Sequence, residues 1–372
     1  MAQARAGKRL DAADAFDTAD AIDAAGALAA AETAGTLETA GAFQAGNAPT
    51  LPDAREDAAC PVVGFAHAAF RFAEEFARRP DGRACWQASD LAGLRARIAE
   101  ADVLVTARIW DDALLDIAPR LRFIQASSSG TEQFDLARLT ARGIRLASAQ
   151  GVNTHAVAEH ALALLLALTR RLHHAARNQS RRAWPPAGGP DTREDELHGK
   201  RLLVVGFGAI GRQLAAAAQG LGMAVTGVRR HAGPPEAGAQ VIGTDRLDAA
   251  LPEADAVVLA CPLTPQTRGL FDAGRLARMR PGAYLVNVGR GPVVDQAALA
   301  DALAAGRLAG AGLDCFEAEP LPADSPLWTL DTVVITPHSA GNTRQYERRV
   351  IDLLQDNLRR LREGLPLANQ VI

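Results

Sequence analysis

One stretch restricts this chain more than any other: Leu202-Leu203-Val204-Val205-Gly206-Phe207-Gly208-Ala209-Ile210-Gly211. Four apolar residues read as a strand buried on both faces. The glycines then form G-x-G-x-x-G, an Ala/Leu-rich helix runs to about Leu221, and a second strand follows over Ala224–Val228. Such a β-α-β unit requires a parallel sheet. Gly206 permits the tight turn, Gly208 lets backbone approach a pyrophosphate, and Gly211 lets helix and strand pack closely. Phosphate charge would then rest on the positive N-terminus of the helix.

The end of the second strand narrows the ligand. A dinucleotide site for NAD usually carries Asp or Glu there, about 20 residues on, to hold the ribose 2′-hydroxyl. Here the residues are Gly227-Val228-Arg229-Arg230-His231, with Arg229 at the acidic position, 18 residues after Gly211, and no neighbouring carboxylate in the sequence. Guanidinium groups suit a 2′-phosphate by charge and fork geometry, so Arg229 and Arg230 point to NADP.

The same strand-helix alternation runs through the rest of the chain. Before the glycine turn, strands are expected at Val62–Phe65, Asp102–Thr106, Arg122–Ala126 and Ile144–Ala147, with helices at Phe70–Arg78 and Asp90–Ile98. A leucine-rich helix opens at Ala156 and runs to about Leu172. Asn178–Asp195, rich in Pro, Gly and Arg, reads as a loop or arm. After the turn come strands Ala256–Ala260, Ala283–Val288, Gly310–Asp314 and Val333–Thr336, and a last helix over Gln345–Arg362. The expectation is an α/β protein of two Rossmann-like domains. A dinucleotide-binding domain (151–339) is inserted into a flavodoxin-like domain (58–150 and 340–372). Crossings between them are expected near Ala149–Thr154 and Gly341–Thr343.

Composition removes other classes. Residues 1–57 are Ala-rich, with ten Asp/Glu against four Lys/Arg, and are expected to be a disordered extension. The net charge of −3 is interspersed, which argues against a nucleic-acid partner. No apolar run approaches a membrane span, and the first residues lack the core of a secretory signal. Cys60, Cys85, Cys261 and Cys315 have no metal-type spacing and read as reduced thiols of a cytoplasmic protein. No metal site is expected.

Three segments fall at carboxyl ends of expected strands, where open α/β sheets hold ligands: Asn287-Val288-Gly289-Arg290-Gly291, Asp314-Cys315-Phe316-Glu317-Ala318-Glu319-Pro320 and Thr336-Pro337-His338-Ser339-Ala340-Gly341. With AVAEHALALLLAL, PLTPQTRGLF and DNLRRLREGLPLANQVI, they make the chain, from about residue 100 onward, resemble the D-isomer-specific 2-hydroxyacid dehydrogenase family. The resemblance implies reversible hydride transfer between a nicotinamide cofactor and a small 2-keto acid. It implies that His338 is the general acid at the carbonyl oxygen, that Glu319 pairs with and orients the imidazole, and that Arg290 binds substrate carbonyl and carboxylate oxygens. Glu317 is expected to face elsewhere. Asp314 would hydrogen-bond the nicotinamide carboxamide. Cofactor contacts are implied along Gly206, Phe207, Gly208, Ala209, Ile210 and Gly211, then at Cys261, Pro262, Thr267, Val288 and His338.

The loop Gln125–Asp135 aligns with the family's substrate loop, so Ser128 and the N–H groups of Ser129 and Gly130 would hold the substrate carboxylate. Serines stand where the family usually has glycine and apolar residues. His160 reads as a packed helix residue, and His173 and His174 as the end of that helix. The leading reading is an NADPH-linked 2-keto acid reductase that resembles the family's glyoxylate/hydroxypyruvate reductases, and the resemblance implies a homodimer paired through the arm and the leucine-rich helix. The alternatives are an NAD-linked dehydrogenase for another D-2-hydroxy acid, or a nucleotide-sensing scaffold similar to the family's co-repressors.

Overall fold

The computed structural model describes residues 61–79, 82–186 and 193–372. The expected extension over 1–57 lies outside them. In chain order the elements are β1 (Val63–Ala66), α1 (Phe72–Ala77), β2 (Cys85–Ala88), α2 (Leu91–Arg97), β3 (Val103–Thr106), β4 (Phe123–Ala126), α3 (Leu136–Ala141), β5 (Arg145–Ala147), α4 (Thr154–Thr169) and α5 (Leu172–Ser180). They continue with β6 (Arg201–Val205), α6 (Ala209–Gly220), β7 (Ala224–Arg229), β8 (Gly233–Glu236), β9 (Ala239–Gly243), α7 (Leu247–Ala250), β10 (Ala256–Leu259), α8 (Ala273–Arg278), β11 (Tyr284–Asn287), α9 (Gln296–Ala304), β12 (Gly310–Leu313), β13 (Val333–Ile335) and α10 (Tyr346–Arg362).

Two sheets result. The smaller has the order β2-β1-β3-β4-β5 and the larger β13-β12-β11-β10-β6-β7-β9-β8. All neighbours run parallel except β8 against β9. Each sheet separates two apolar clusters, and β1, β3, β4, β10 and β12 are buried at every residue. Burial on both faces is why these strands appear as unbroken apolar runs. The last helix, α10, returns to the smaller sheet. Its Tyr346, Val350, Ile351, Leu354, Leu358 and Leu361 join Phe65, Phe72 and Phe76 in one cluster. The two expected crossings touch, because a Cβ on Gly341 would lie 2.6 Å from Asn153 Nδ2. Among the described residues no helix is long and apolar enough to cross a membrane.

Three expectations need correction. The leucine-rich helix stops at Thr169, Arg171 adopts a left-handed conformation (φ 51°), and α5 then covers Asn178–Ser180, which had read as loop. His173 and His174 therefore begin a helix rather than end one. The edge strand β2 was not expected, since its burial alternates and Gln87 interrupts its apolar pattern. Nor was the β8–β9 ribbon, whose first strand is Gly-Pro-Pro-Glu.

Candidate active site

Strand order decides where ligands can enter. In the larger sheet the order reverses between β6 and β10, and open α/β sheets hold their ligands beyond the carboxyl ends of the strands at such a reversal. Gly206 ends β6 at φ +99°, and a Cβ there would sit 2.5 Å from the Cys261 nitrogen just past β10. Only glycine fits both constraints. A Cβ on Gly211 would lie 2.7 Å from the Gly206 oxygen, so α6 could not approach its strand. A Cβ on Gly208 would meet no protein atom within 4 Å. The chain itself does not require glycine at that N-cap position, whereas a pyrophosphate held close to the backbone would. The first N–H groups of α6 are available to such an anion. The residues present therefore fit a dinucleotide.

The far end of that groove differs from expectation. Arg229 does have a carboxylate partner: Glu236 on β8, whose Oε2 accepts from Arg229 Nη1 at 3.0 Å. Arg212 of α6 lies 3.3 Å from the other Glu236 oxygen. Arg229 Nε also donates to the His231 carbonyl. The sequence motif concealed this because Glu236 lies on β8, beyond the motif, and its side chain reaches back to the end of β7. Arg230 is exposed. Arg212 and Arg229 thus share Glu236, and a second carboxylate, Asp245, lies beside Gly243, the residue paired with Arg229.

Beyond β11, β12 and β13 the three loop segments converge. His338 Nδ1 stands 2.7 Å from Glu319 Oε2. A carboxylate oxygen accepts, so Nδ1 carries the proton, and Nε2 has no hydrogen-bond partner among the described residues. The other Glu319 oxygen accepts from the Phe316 N–H at 3.0 Å. Burial alone would raise the Glu319 carboxyl, but the His338 hydrogen bond, the Phe316 N–H and the fields of His338 and Arg108 outweigh it and hold it below its ordinary range. Glu317 points away, accepting from the Gln296 N–H of α9.

Two buried side chains shape the loops. Asn287, 1% exposed, donates to the Arg290 carbonyl and accepts from the Gly289 N–H, bracing the turn that presents Arg290. Arg290 Nη1 donates to the Gly289 carbonyl and forms no ion pair among the described residues. Asp314, also 1% exposed, lies beneath the His338 loop. It accepts from Thr336 Oγ1 (2.6 Å), Ser339 N–H (2.8 Å) and Ala340 N–H (2.9 Å). A carboxylate has about four acceptor directions, so one remains for a carboxamide. His338 itself has φ +50°, which a residue with a Cβ rarely adopts. His160 was read as a packed residue. It instead reaches this network, with Nε2 2.9 Å from Thr336 Oγ1.

Other expected contacts are differently engaged. Thr267 Oγ1 donates to the Pro262 carbonyl, closing its own turn. Cys261 and Cys315 are buried thiols. Burial pushes Cys261 up to about 11; burial, then Glu319 and Asp314, push Cys315 up. Val288 is buried and donates its N–H to the Leu259 carbonyl. On the smaller sheet Ser128 Oγ donates to the Gly130 carbonyl, so the hydroxyl turns back into its own loop. Ser129 is exposed at the loop tip. A Cβ on Gly130 would lie 2.3 Å from Glu132 Oε2, placing that carboxylate against the expected anion-binding turn.

The smaller sheet has its own reversal, between β1 and β3. At these neighbouring strand ends stand His67 and Arg108, neither chosen from the sequence. His67 Nδ1 accepts from the N–H groups of Ala69 and Phe70, leaving Nε2 as a donor. Burial, then the Arg108 charge, lower its pKa to about 4. Arg108 acts electrostatically on both His67 and Glu319.

Comparison with known proteins agrees with this architecture. Residues 162–340 match the family model for the D-isomer specific 2-hydroxyacid dehydrogenase NAD binding domain. Glyoxylate/hydroxypyruvate reductase B of Escherichia fergusonii is 40% identical over 249 residues, covering 67% of this chain and 77% of that protein. D-3-phosphoglycerate dehydrogenase of Mycobacterium leprae is 37% identical over 262 residues, covering 70% of this chain. The chain spans about half the length of the phosphoglycerate dehydrogenases it matches, 49% for that one. Among solved structures, a D-isomer specific 2-hydroxyacid dehydrogenase from Xanthobacter autotrophicus Py2, in complex with NADPH and MES, is 28% identical with a TM-score of 0.70. The match covers 84% of this chain and 98% of that one.

Proposed function

The chain belongs to the D-isomer specific 2-hydroxyacid dehydrogenase family, and from that premise we propose that it interconverts a small 2-keto acid and its 2-hydroxy acid, with NADPH as the preferred cofactor. The observation that carries the reading is the Glu319–His338 pair, at 2.7 Å, with the imidazole Nε2 left unpaired among the described residues. When bound, the nicotinamide supplies the hydride.

The chain's own residues supply the rest. His338 Nε2 gives its proton to the carbonyl oxygen as that oxygen gains negative charge, and takes it back in the reverse direction. Glu319, held ionised, keeps the proton on Nδ1 and stabilises the imidazolium. Arg290, free of a carboxylate partner among the described residues, binds the substrate carboxylate and polarises the carbonyl. Ser129 and Gly130 offer N–H groups to the same carboxylate from the smaller sheet. Asp314 fixes the His338 loop and keeps one acceptor direction toward the carboxamide. The preference for NADPH rests on Arg212, Arg229 and Arg230 outnumbering Glu236 and Asp245. Arg108, a second cation whose charge acts on Glu319, makes acids with a second anionic group worth testing. The proposal includes a homodimer, in keeping with the exposed Leu172 and Trp184 beside α5.

The test is initial-rate oxidation of NADPH and of NADH by the full chain with glyoxylate, hydroxypyruvate, pyruvate and 3-phosphohydroxypyruvate. NADPH-linked turnover of at least one acid supports the proposal, and the preferred acid identifies the side chain accommodated. Preference for NADH overturns the cofactor assignment and leaves the acid–base pair. Silence with every acid, alongside normal dinucleotide binding, overturns the reaction.

A further inference from the structure

We propose that His160 and Thr336 are positioning residues. They hold the left-handed His338 loop in place through the buried carboxylate of Asp314. The kinetic consequence rests on the proposed role of His338, whereas the structural consequence stands without it.

The directions of the hydrogen bonds can be worked out. Ser339 and Ala340 present backbone N–H groups, which can only donate, to Asp314 Oδ1 at 2.8 Å and Oδ2 at 2.9 Å. Both carboxylate oxygens are therefore acceptors. The proton in the 2.6 Å contact between Thr336 Oγ1 and Asp314 Oδ1 must belong to the hydroxyl. With its one proton committed, Thr336 Oγ1 can only accept from His160 Nε2 at 2.9 Å. The chain runs one way: His160 Nε2–H to Thr336 O–H to Asp314. The carboxylate then grips the two N–H groups that follow His338, on the segment where His338 is held at φ +50°.

Helix packing explains how a residue of α4 reaches this loop. A Cβ on Gly312 of β12 would lie 2.9 Å from Leu164 Cβ, so the helix presses on the strand more closely than any larger residue would allow. His160 lies one helical turn before Leu164 on the same face, and Asp314 lies two residues beyond Gly312 on the same side of the strand. The contact that seats Leu164 on Gly312 thus brings His160 over the end of the strand. His160 is half-buried there, with 24% of its side chain exposed, while the Asp314 side chain is 2% exposed. A buried carboxylate deprived of a donor holds its remaining partners less firmly.

The experiment compares Thr336→Val, which keeps the shape and removes the hydroxyl, with Thr336→Ser, which keeps the hydroxyl. His160→Phe tests the other end from a different element. Hydrogen exchange at the Ser339 and Ala340 amides, turnover with the best keto acid and NADPH affinity are measured for each. We expect Thr336→Val and His160→Phe to speed exchange and lower kcat, each by about tenfold. KM and cofactor affinity should move by less than about threefold, and Thr336→Ser should stay near wild type. Wild-type exchange and kcat in Thr336→Val, or failure of Thr336→Ser to restore them, would overturn the proposal. If the unaltered chain turns over no keto acid, the reaction assignment fails, and the exchange data still decide the positioning role.

Discussion

Replacing Glu319 with glutamine removes one charge while keeping shape, and its cost can be worked from the geometry. The carboxylate has two tasks: one oxygen accepts from His338 at 2.7 Å and the other from the Phe316 N–H at 3.0 Å. Glutamine has a single acceptor oxygen. If that oxygen stays on Phe316, the amide NH2 faces Nδ1 and favours the tautomer with the proton on Nε2, without positive charge. If it faces His338, two N–H groups meet at Phe316. Either way one charge-assisted hydrogen bond is lost, worth about 1.5–3 kcal/mol. About a third of each side chain is exposed (38% and 33%), so solvent screening favours the lower figure. We therefore expect kcat/KM for keto-acid reduction to fall by roughly tenfold to a hundredfold, with NADPH affinity nearly unchanged. The assay is loss of NADPH absorbance across a pH series, with dinucleotide binding followed by fluorescence. A Glu319→Gln enzyme within about twofold of wild type at every pH would refute the reasoning.

Other expectations follow from particular contacts. Glu236→Gln releases Arg229 and Arg212 from their shared carboxylate. The ratio of NADPH to NADH affinity should then rise by about fivefold or more, measured by titration with both dinucleotides. Asn357 is fully buried, donating to Gln125 Oε1 and accepting from the Ala368 N–H. Asn357→Leu strands both partners and should cost about 2–4 kcal/mol in urea unfolding, because each unsatisfied buried group costs about 1–3 kcal/mol. Burial, then the Arg108 charge, bring the folded His67 down to about 4 from its ordinary 6.5. Its contribution to stability is complete above 6.5 and is lost as pH falls from 6.5 through 4. By NMR its ring protons should not titrate near neutrality, and a midpoint near 6.5 would contradict the buried, Arg108-facing placement.

How much was legible in the sequence depends on what each residue contacts. Strands buried on both faces, such as Val103–Thr106 and Ala256–Leu259, were readable to within a residue, because continuous apolar runs bounded by turns have few other uses. β2 and the β8–β9 ribbon escaped, since edge strands bury fewer residues and carry Gln and Pro. The break at Arg171 had no glycine to announce it. In the site, the pairing of Glu319 with His338 was implied by the family resemblance of the two short motifs that carry them, not by spacing, since 19 residues separate the two. His160 was not, because its partner Thr336 lies 176 positions away and nothing local marks the meeting. Glu236 escaped for the opposite reason: it is only seven residues from Arg229, but it lies on β8, a strand the motif does not include.

The most direct test of the central claim is the fate of the cofactor's hydrogen. NADPH deuterated at C4 of the nicotinamide is incubated with the full chain and the best keto acid from the panel, and the hydroxy acid is examined by mass spectrometry and NMR. The account predicts deuterium on C2 of the product, with the hydroxyl proton drawn from solvent through His338. Product without deuterium at C2, or no product from folded protein that binds NADPH, would contradict it.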